Sequence, residues 1–333
     1  MILPSQALTP PAALQTGRQL PVISCCEHFA GSEVLIKKSL QLRKDSGINF
    51  DITCDCEDGA ELGRENQQIE MIVCLIDSLQ TNQGRTGIRV HPPDSPFFQS
   101  EVSKSINAVG NHLSYITIPK IRDLNQAHAA SKLIEEHSRS ARLAKPIPIH
   151  FLIETQSALR DCREIAGLPN VEVLDFGLMD FIADHAGAID FSCARSPGQF
   201  SHALIHRAKT EIAAACLAMG VIPSHNVSLA LKDPEQVYKD ALYARQSYGF
   251  LRMWSIHPSQ IEPILRAMNP STAEISNIEE VLLRAQSINW APLSSEGQLH
   301  DRASYRSYWQ ILQRARASGI KISAEAMTKL FGE

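Results

Sequence analysis

The feature that most limits what this chain can fold into is a series of eight short apolar or β-branched runs. They are LPVISC (20–25), NFDITC (49–54), GIRVH (87–91), YITIPK (115–120), PIPIHFLI (146–153), VEVLDFG (171–177), VIPSHNV (221–227) and FLRMWSI (250–256). Most are separated by stretches with apolar residues at i, i+3 and i+4, as in 69–79 and 237–244. Strands that alternate with helices build parallel βαβ units. Eight of them predict an α/β chain folded as a (β/α)8 TIM barrel over residues 20–270, with a doubly wound sheet as the second choice. No G-x-G-x-x-G follows an early strand and no G-x-x-x-x-G-K-[ST] occurs, which removes the signatures of dinucleotide and P-loop sites. Residues 1–19 read as a Pro- and Ala-containing N-terminal arm. After Pro270 the pattern turns helical at 273–287 and 302–332, predicting a C-terminal helical lid over 271–333.

Charge and composition narrow the function classes. The 32 basic and 36 acidic residues give a net charge of −4, and the basic ones are spread out, so no nucleic-acid partner is expected. The longest mostly apolar run, IAAACLAMGVI (212–222), is too short to span a bilayer. The first 20 residues have no basic start followed by an apolar block, so a cytoplasmic location is expected. Eight cysteines occur without a C-x-x-C pair, which suits reduced thiols. The segment FDITCDCEDGAELG (50–63) crowds Cys54, Cys56 and four acids together, but no second ligand pair accompanies it, so structural zinc is not expected.

A barrel puts its chemistry at the C-terminal ends of its strands. The second run ends in Asp55, Glu57 and Asp58, the third carries Arg89, the fourth ends in Lys120 and the fifth in Glu154. Asp180 follows the sixth closely, and the eighth runs into His257. Together these would suit an anionic substrate and a hard metal. Each also has a plainer reading. Glu154 could be a first-turn acid favoured by the helix dipole, and Asp180 a helix N-cap. Arg89 could sit in a buried ion pair, His257 could be structural, Lys120 could close a turn, and Asp55 and Glu57 could be solvated.

Taken in order, the segments resemble the HpcH/HpaI aldolase and citrate lyase β-subunit superfamily, most closely its CoA-ester lyase branch. FDITCDCEDGA is similar to the branch's hydrophobic-Asp-x-Glu-Asp-Gly, GIRVHPPDS to its Val-Arg-hydrophobic-Asn and ITIPKI to its Leu-Pro-Lys. FLIETQSAL resembles its Ile-Glu-Thr segment, LDFGLMDFIADHAG its Gly-x-x-Asp-hydrophobic segment and WSIHPSQIEPI its Ile-His-Pro-x-Gln-Ile. The segment SEGQLHDRASYRSYWQILQRA faintly resembles the family's lid.

The resemblance implies a carbon–carbon lyase with Mg²⁺ held by Glu154 and Asp180. Arg89 would stabilise the enolate, Glu57 and Asp58 would orient metal-bound water and Arg89, and Asp55, Lys120 and His257 would contact substrate. The substrate would be a citryl-, malyl- or citramalyl-CoA-like ester. The resemblance also implies a homo-oligomer, a trimer or hexamer, in which Asp301 reaches a neighbouring site as acid/base. The chain departs from the pattern in three places. The first strand lacks the branch's Arg-Ser-x-Leu start, leaving Lys37 and Lys38 as substitute phosphate contacts; His91 stands for Asn; and Arg302, not Pro, follows Asp301. These departures keep open an aldolase acting on a free hydroxy-keto acid without CoA, a related thioester hydrolase, and a non-catalytic barrel that binds an acyl-CoA or dicarboxylate.

Overall fold

The computed structural model describes residue 14 and residues 19–79 and 84–332. Eight strands close into a parallel barrel in sequence order. They are β1 Cys26–Ala30, β2 Asp51–Asp55, β3 Thr86–Arg89, β4 Ile116–Ile118, β5 Ile149–Ile153, β6 Val171–Phe176, β7 Ile222–His225 and β8 Arg252–Ser255. Two compact units result: Cys25–Met268, which is the barrel with its helices, and Asn269–Glu333 with Met1–Ser24. Of the expected arm at 1–19, all but Leu14 and Gln19 lie outside the described residues.

Seven of the eight runs expected to be strands overlap a strand of the barrel. The first does not. LPVISC precedes β1, and the strand is the next five residues, Cys-Glu-His-Phe-Ala. Glu27 and His28 look like loop residues by polarity, yet both are buried because the barrel holds partners for them. Arg252 Nη2 donates to Glu27 Oε2 at 2.8 Å, Thr53 donates to Glu27 Oε1, and His28 Nδ1 meets Ser255 Oγ at 2.8 Å.

Barrel interiors are commonly filled by layers of branched apolar side chains. Here one layer is ionic. Arg252 Nη1 lies 2.9 Å from Asp51 Oδ2, and His150 Nε2 meets Glu172 Oε2 at 3.0 Å. Arg85 pairs with the same Glu172, and Tyr115 stacks on the His150 ring with centroids 4.0 Å apart. Burial opposes ionisation of Glu27, but Arg252 and His150 outweigh it and hold its carboxyl low. Burial, followed by the Glu27 charge, pushes the Asp175 carboxyl up to about 7, against the pull of His150. The alternate strand residues pack outward as an apolar core with the helices, among them Ile52, Cys54, Ile88, Ile116 and Phe151.

Local signals start the surrounding helices. Ser32 caps Glu33–Ser46, Asp123 caps Leu124–Ser140, and Asp233 with Pro234 opens Pro234–Tyr243. In the second unit Ser271 and Glu274 form a capping box on Thr272–Ser287. The segment joining the expected helices carries a small hairpin, Leu293–Ser295 with Gln298–His300. The single helix expected at 302–332 is two pieces, Arg302–Ala317 and 324–331, because Gly319 takes φ +80° after Ser318. Ile275, Val281, Leu282, Tyr305, Trp309 and Leu312 form this unit's own core.

Candidate active site

The C-terminal ends of the strands surround a cavity of about 490 Å³, within the range of small-molecule sites. Asp55, Asp58, Arg89, Glu154 and Asp180 line it together. Two glycines let the first two loops approach: a Cβ on Gly31 would overlap the Gly59 carbonyl, and one on Gly59 would overlap the Asp55 carboxylate.

Arg89 is the most constrained group. Its Nε and Nη2 donate to Asp55 Oδ1 and Oδ2 at 2.7 and 2.5 Å, a bidentate pair between neighbouring strands. Nη1 lies 3.2 Å from Glu57 Oε2, and the guanidinium sits 5.2 Å from the centre of the Phe29 ring. Burial opposes its charge, but Asp55 and Glu57 raise its pKa overall. Asp55 was expected to touch substrate, but its carboxylate is taken up by Arg89 and by the backbone N–H groups of Glu57 and Gly59. Asp58, expected to orient Arg89, instead accepts from Lys120 Nζ at 3.0 and 2.9 Å.

Lys120 ties the acids together. Its backbone N–H donates to Glu154 Oε2 at 2.6 Å. Its ammonium lies 2.5 Å from Glu57 Oε1, 2.9 Å from Asp58 Oδ2 and 3.7 Å from Asp180 Oδ1. Burial lowers its pKa, but Glu57 and Asp58 more than offset this and raise it.

Glu154 and Asp180 come from the ends of β5 and β6. Glu154 does not cap the following helix, because Thr155 does so through its side chain to Ala158 N. Asp180 lies in the first turn of Leu178–Ala183, where Gly177 holds the N-cap position. Gly177 also makes room for Glu154, whose carboxyl a Cβ there would strike. Burial, then the charge of Asp180, pushes the Glu154 carboxyl up to about 8. A buried Glu154 carboxyl whose ionised form is this disfavoured, beside the half-exposed carboxylate of Asp180, gives an oxygen-only donor pair that suits a divalent hard cation.

A second cluster, Glu27, His150 and Asp175, brings ligand atoms within 4.8 Å of one another. None of the three lines the cavity, and Arg252 already occupies Glu27, so the cluster is an ion-pair network and not the site's metal centre.

Other expected residues stand apart from the cavity. His257 caps the short turn Pro258–Gln260, and its side chain is exposed. Lys37 pairs with Glu33 one helical turn away at 2.6 Å, and Lys38 is exposed; neither lines the cavity. His91 donates its backbone N–H to Glu101 and meets the same carboxylate through Nδ1 at 2.7 Å. Asp301, in the other unit, caps Arg302–Ala317 in a capping box with Ser304. The cavity also has an apolar side that the sequence did not mark: Phe29, Val227, Leu229, Trp254 and Ile256. None of the five carried a signal visible without the fold.

Comparison with known proteins gives one consistent answer. Residues 40–258 match the HpcH/HpaI aldolase/citrate lyase family. A crystal structure of a citrate lyase from Burkholderia xenovorans LB400 superposes with a TM-score of 0.82 at 44% identity, covering 96% of this chain and 99% of that one. The L-malyl-CoA/beta-methylmalyl-CoA lyase of Cereibacter sphaeroides is 24% identical over 303 residues, 87% of this chain and 94% of that protein. CitE of Mycobacterium tuberculosis, in complex with magnesium, acetoacetate and coenzyme A, shares the fold with a TM-score of 0.64 at 19% identity, covering 89% and 98%.

Proposed function

The chain belongs to the HpcH/HpaI aldolase/citrate lyase family, and from that premise we propose that it is a Mg²⁺-dependent carbon–carbon lyase. Its substrate would be a β-hydroxyacyl-CoA ester of the malyl-, citramalyl- or citryl-CoA kind. The observation that carries this is the pair Glu154 and Asp180, a buried and a half-exposed carboxylate joined through Lys120 at the mouth of the barrel. The magnesium bound in the CitE structure supports a metal-dependent reading.

Glu154 and Asp180 would hold the cation, which supplies Lewis-acid polarisation of the substrate's oxygen. Lys120 holds the Glu154 carboxyl in place through its backbone N–H. Arg89, fixed from behind by Asp55, presents a permanent positive charge where negative charge develops on the thioester oxygen. In cleavage, the hydroxyl gives up its proton, the adjacent C–C bond breaks, and its electron pair moves onto the thioester. The α-carbon then takes a proton, leaving a 2-oxo acid and an acyl-CoA. Asp301 of a neighbouring subunit is the proposed acid/base, on the strength of the resemblance.

A free hydroxy-keto acid substrate is the second reading. One observation favours it: neither Lys37 nor Lys38 lines the cavity, so the contacts expected for CoA phosphates are not at its wall. The test is calorimetry of Mg²⁺ alone and then of acetyl-CoA, on wild type and Glu154→Gln. Metal binding that is lost in Glu154→Gln, with acetyl-CoA bound, supports the CoA lyase. Metal binding without acetyl-CoA binding selects the free-acid aldolase. Equal Mg²⁺ binding by both proteins removes Glu154 from the site.

A further inference from the structure

We propose that the metal-held end of this site takes a 2-oxo acid whose substituent is apolar, branched or aromatic, and discriminates against one carrying a second carboxylate. The inference rests on the lyase function proposed above and narrows the substrate class of that same site, setting aside the citryl-CoA kind, whose cleavage releases a 2-oxo acid with a second carboxylate.

The cavity is chemically two-sided. Its charged side consists of four carboxylates and one cation, Arg89. Among the described residues, every other one lining it is apolar or glycine, and no lining serine, threonine, asparagine, glutamine, histidine or lysine offers a donor. Arg89 is already engaged by Asp55 and Glu57, and the neighbouring Lys120 ammonium by Glu57 and Asp58. A second substrate carboxylate would therefore lose its water among like charges without gaining a free cation. That is the costly case for burying an ion.

The opposite side is built for apolar contact. Phe29, Val227 and Trp254, with Leu229 against them, form a cluster separate from the main core of the barrel, and all four line the cavity. The Phe29 and Trp254 rings pack at 5.0 Å between centroids. The wall is held from behind: Trp254 Nε1 donates to the Phe176 carbonyl at 3.4 Å, and Phe29 lies against the Arg89 guanidinium. At the rim, Met179 and Ile256 remain 40% and 42% exposed. A branched or aromatic substituent laid on this wall would remove its own apolar surface and theirs from water. The volume, about 490 Å³, admits such a group.

The reaction is unchanged by the substituent. In condensation, the α-carbon of the acyl thioester loses a proton and bonds to the oxo carbon. The oxo oxygen gains a proton, so one product carbon carries hydroxyl, carboxylate and the apolar group. Cleavage is the reverse.

The test is calorimetry at saturating Mg²⁺ with pyruvate, 4-methyl-2-oxopentanoate, phenylpyruvate and oxaloacetate. The two larger apolar acids are expected to bind at least about ten-fold tighter than oxaloacetate, since several buried methylene equivalents are worth that much. Trp254→Ala should weaken the apolar acids selectively. Should that variant fail to fold, Ile256→Lys at the exposed rim should narrow or reverse the preference by supplying a cation. Oxaloacetate binding as tightly as the apolar acids, or an unchanged preference in Ile256→Lys, would overturn the inference while leaving the lyase function intact. No Mg²⁺-dependent binding of any of the four would overturn both.

Discussion

At Lys120 the backbone turns left-handed, φ +51°, in a residue that is not glycine. Such strain persists only where the surroundings over-determine it. Here it lets one residue present its N–H to Glu154 and its ammonium to three other acids. The sequence marked Lys120 through its place at a strand end, but the division of labour between its backbone and side chain is a matter of geometry. The same holds for the acids of FDITCDCEDGAELG. Residue type made Asp55 and Asp58 equivalent candidates, and burial separates them. Asp55 is buried against a buried Arg89, so Asp55→Ala should cost about 3 kcal/mol by removing the bidentate partner and leaving that charge to Glu57 alone. The Asp58 side chain is 56% exposed, so Asp58→Asn should change stability by less than about 1 kcal/mol while lowering turnover clearly. Thermal melts beside initial rates check both; a destabilised Asp58→Asn protein with normal turnover contradicts the role given to Asp58.

At the scale of elements, seven strands of the barrel were legible and the first was not. An apolar run announces a strand whose outward face packs on helices, as in β2 to β8. β1 escaped because its Glu27 and His28 are satisfied by β8, 225 and 227 residues away in sequence. No local pattern can report a partner that distant. The junction of β6 with Leu178–Ala183 shows what one missing side chain does. Gly177 has an ordinary negative φ of −92°, so Gly177→Ala adds no backbone strain and acts only by displacing Glu154. Mg²⁺ affinity by calorimetry should fall about ten-fold or more, as changes to groups that orient metal ligands typically do, with Tm moving little. Unchanged affinity would mean that Glu154 is not positioned through this contact.

For the whole molecule, the ionic layer makes stability depend on pH. Asp175 titrates near 7 in the folded barrel against an ordinary value of 3.8. The folded state therefore holds a proton that the unfolded chain has already released, and stability falls as pH rises through that window. The slope is at most one proton's worth, about 1.4 kcal/mol per pH unit. Glu27 and Glu172 are held low and act below about 4.5. Glu154 shifts in the same direction as Asp175, so the readout is the difference between proteins. Asp175→Asn should flatten the decline in Tm between about pH 4.5 and 7; a slope identical to wild type would show that Asp175 is ionised throughout. In the other unit, Asp301 already has a structural duty as a cap worth about 1 kcal/mol. Asp301→Ser keeps a capping side chain and removes the carboxylate. Turnover lost with Tm retained supports an acid/base role, and normal turnover limits Asp301 to capping.

The sequence by itself determined the eight-fold alternation of strands and helices, the family, and the order in which charged residues reach the strand ends. Periodicity and strand-end chemistry are local, and local patterns survive in one dimension. Only the tertiary structure decided which of those residues touch. It paired Arg89 with Asp55, set Lys120 among the acids, left His257 and Lys37 outside the cavity and gathered Phe29, Val227 and Trp254 into its apolar wall. Those contacts join residues tens to hundreds of positions apart, and their energies come from burial and proximity that exist only once the barrel has closed.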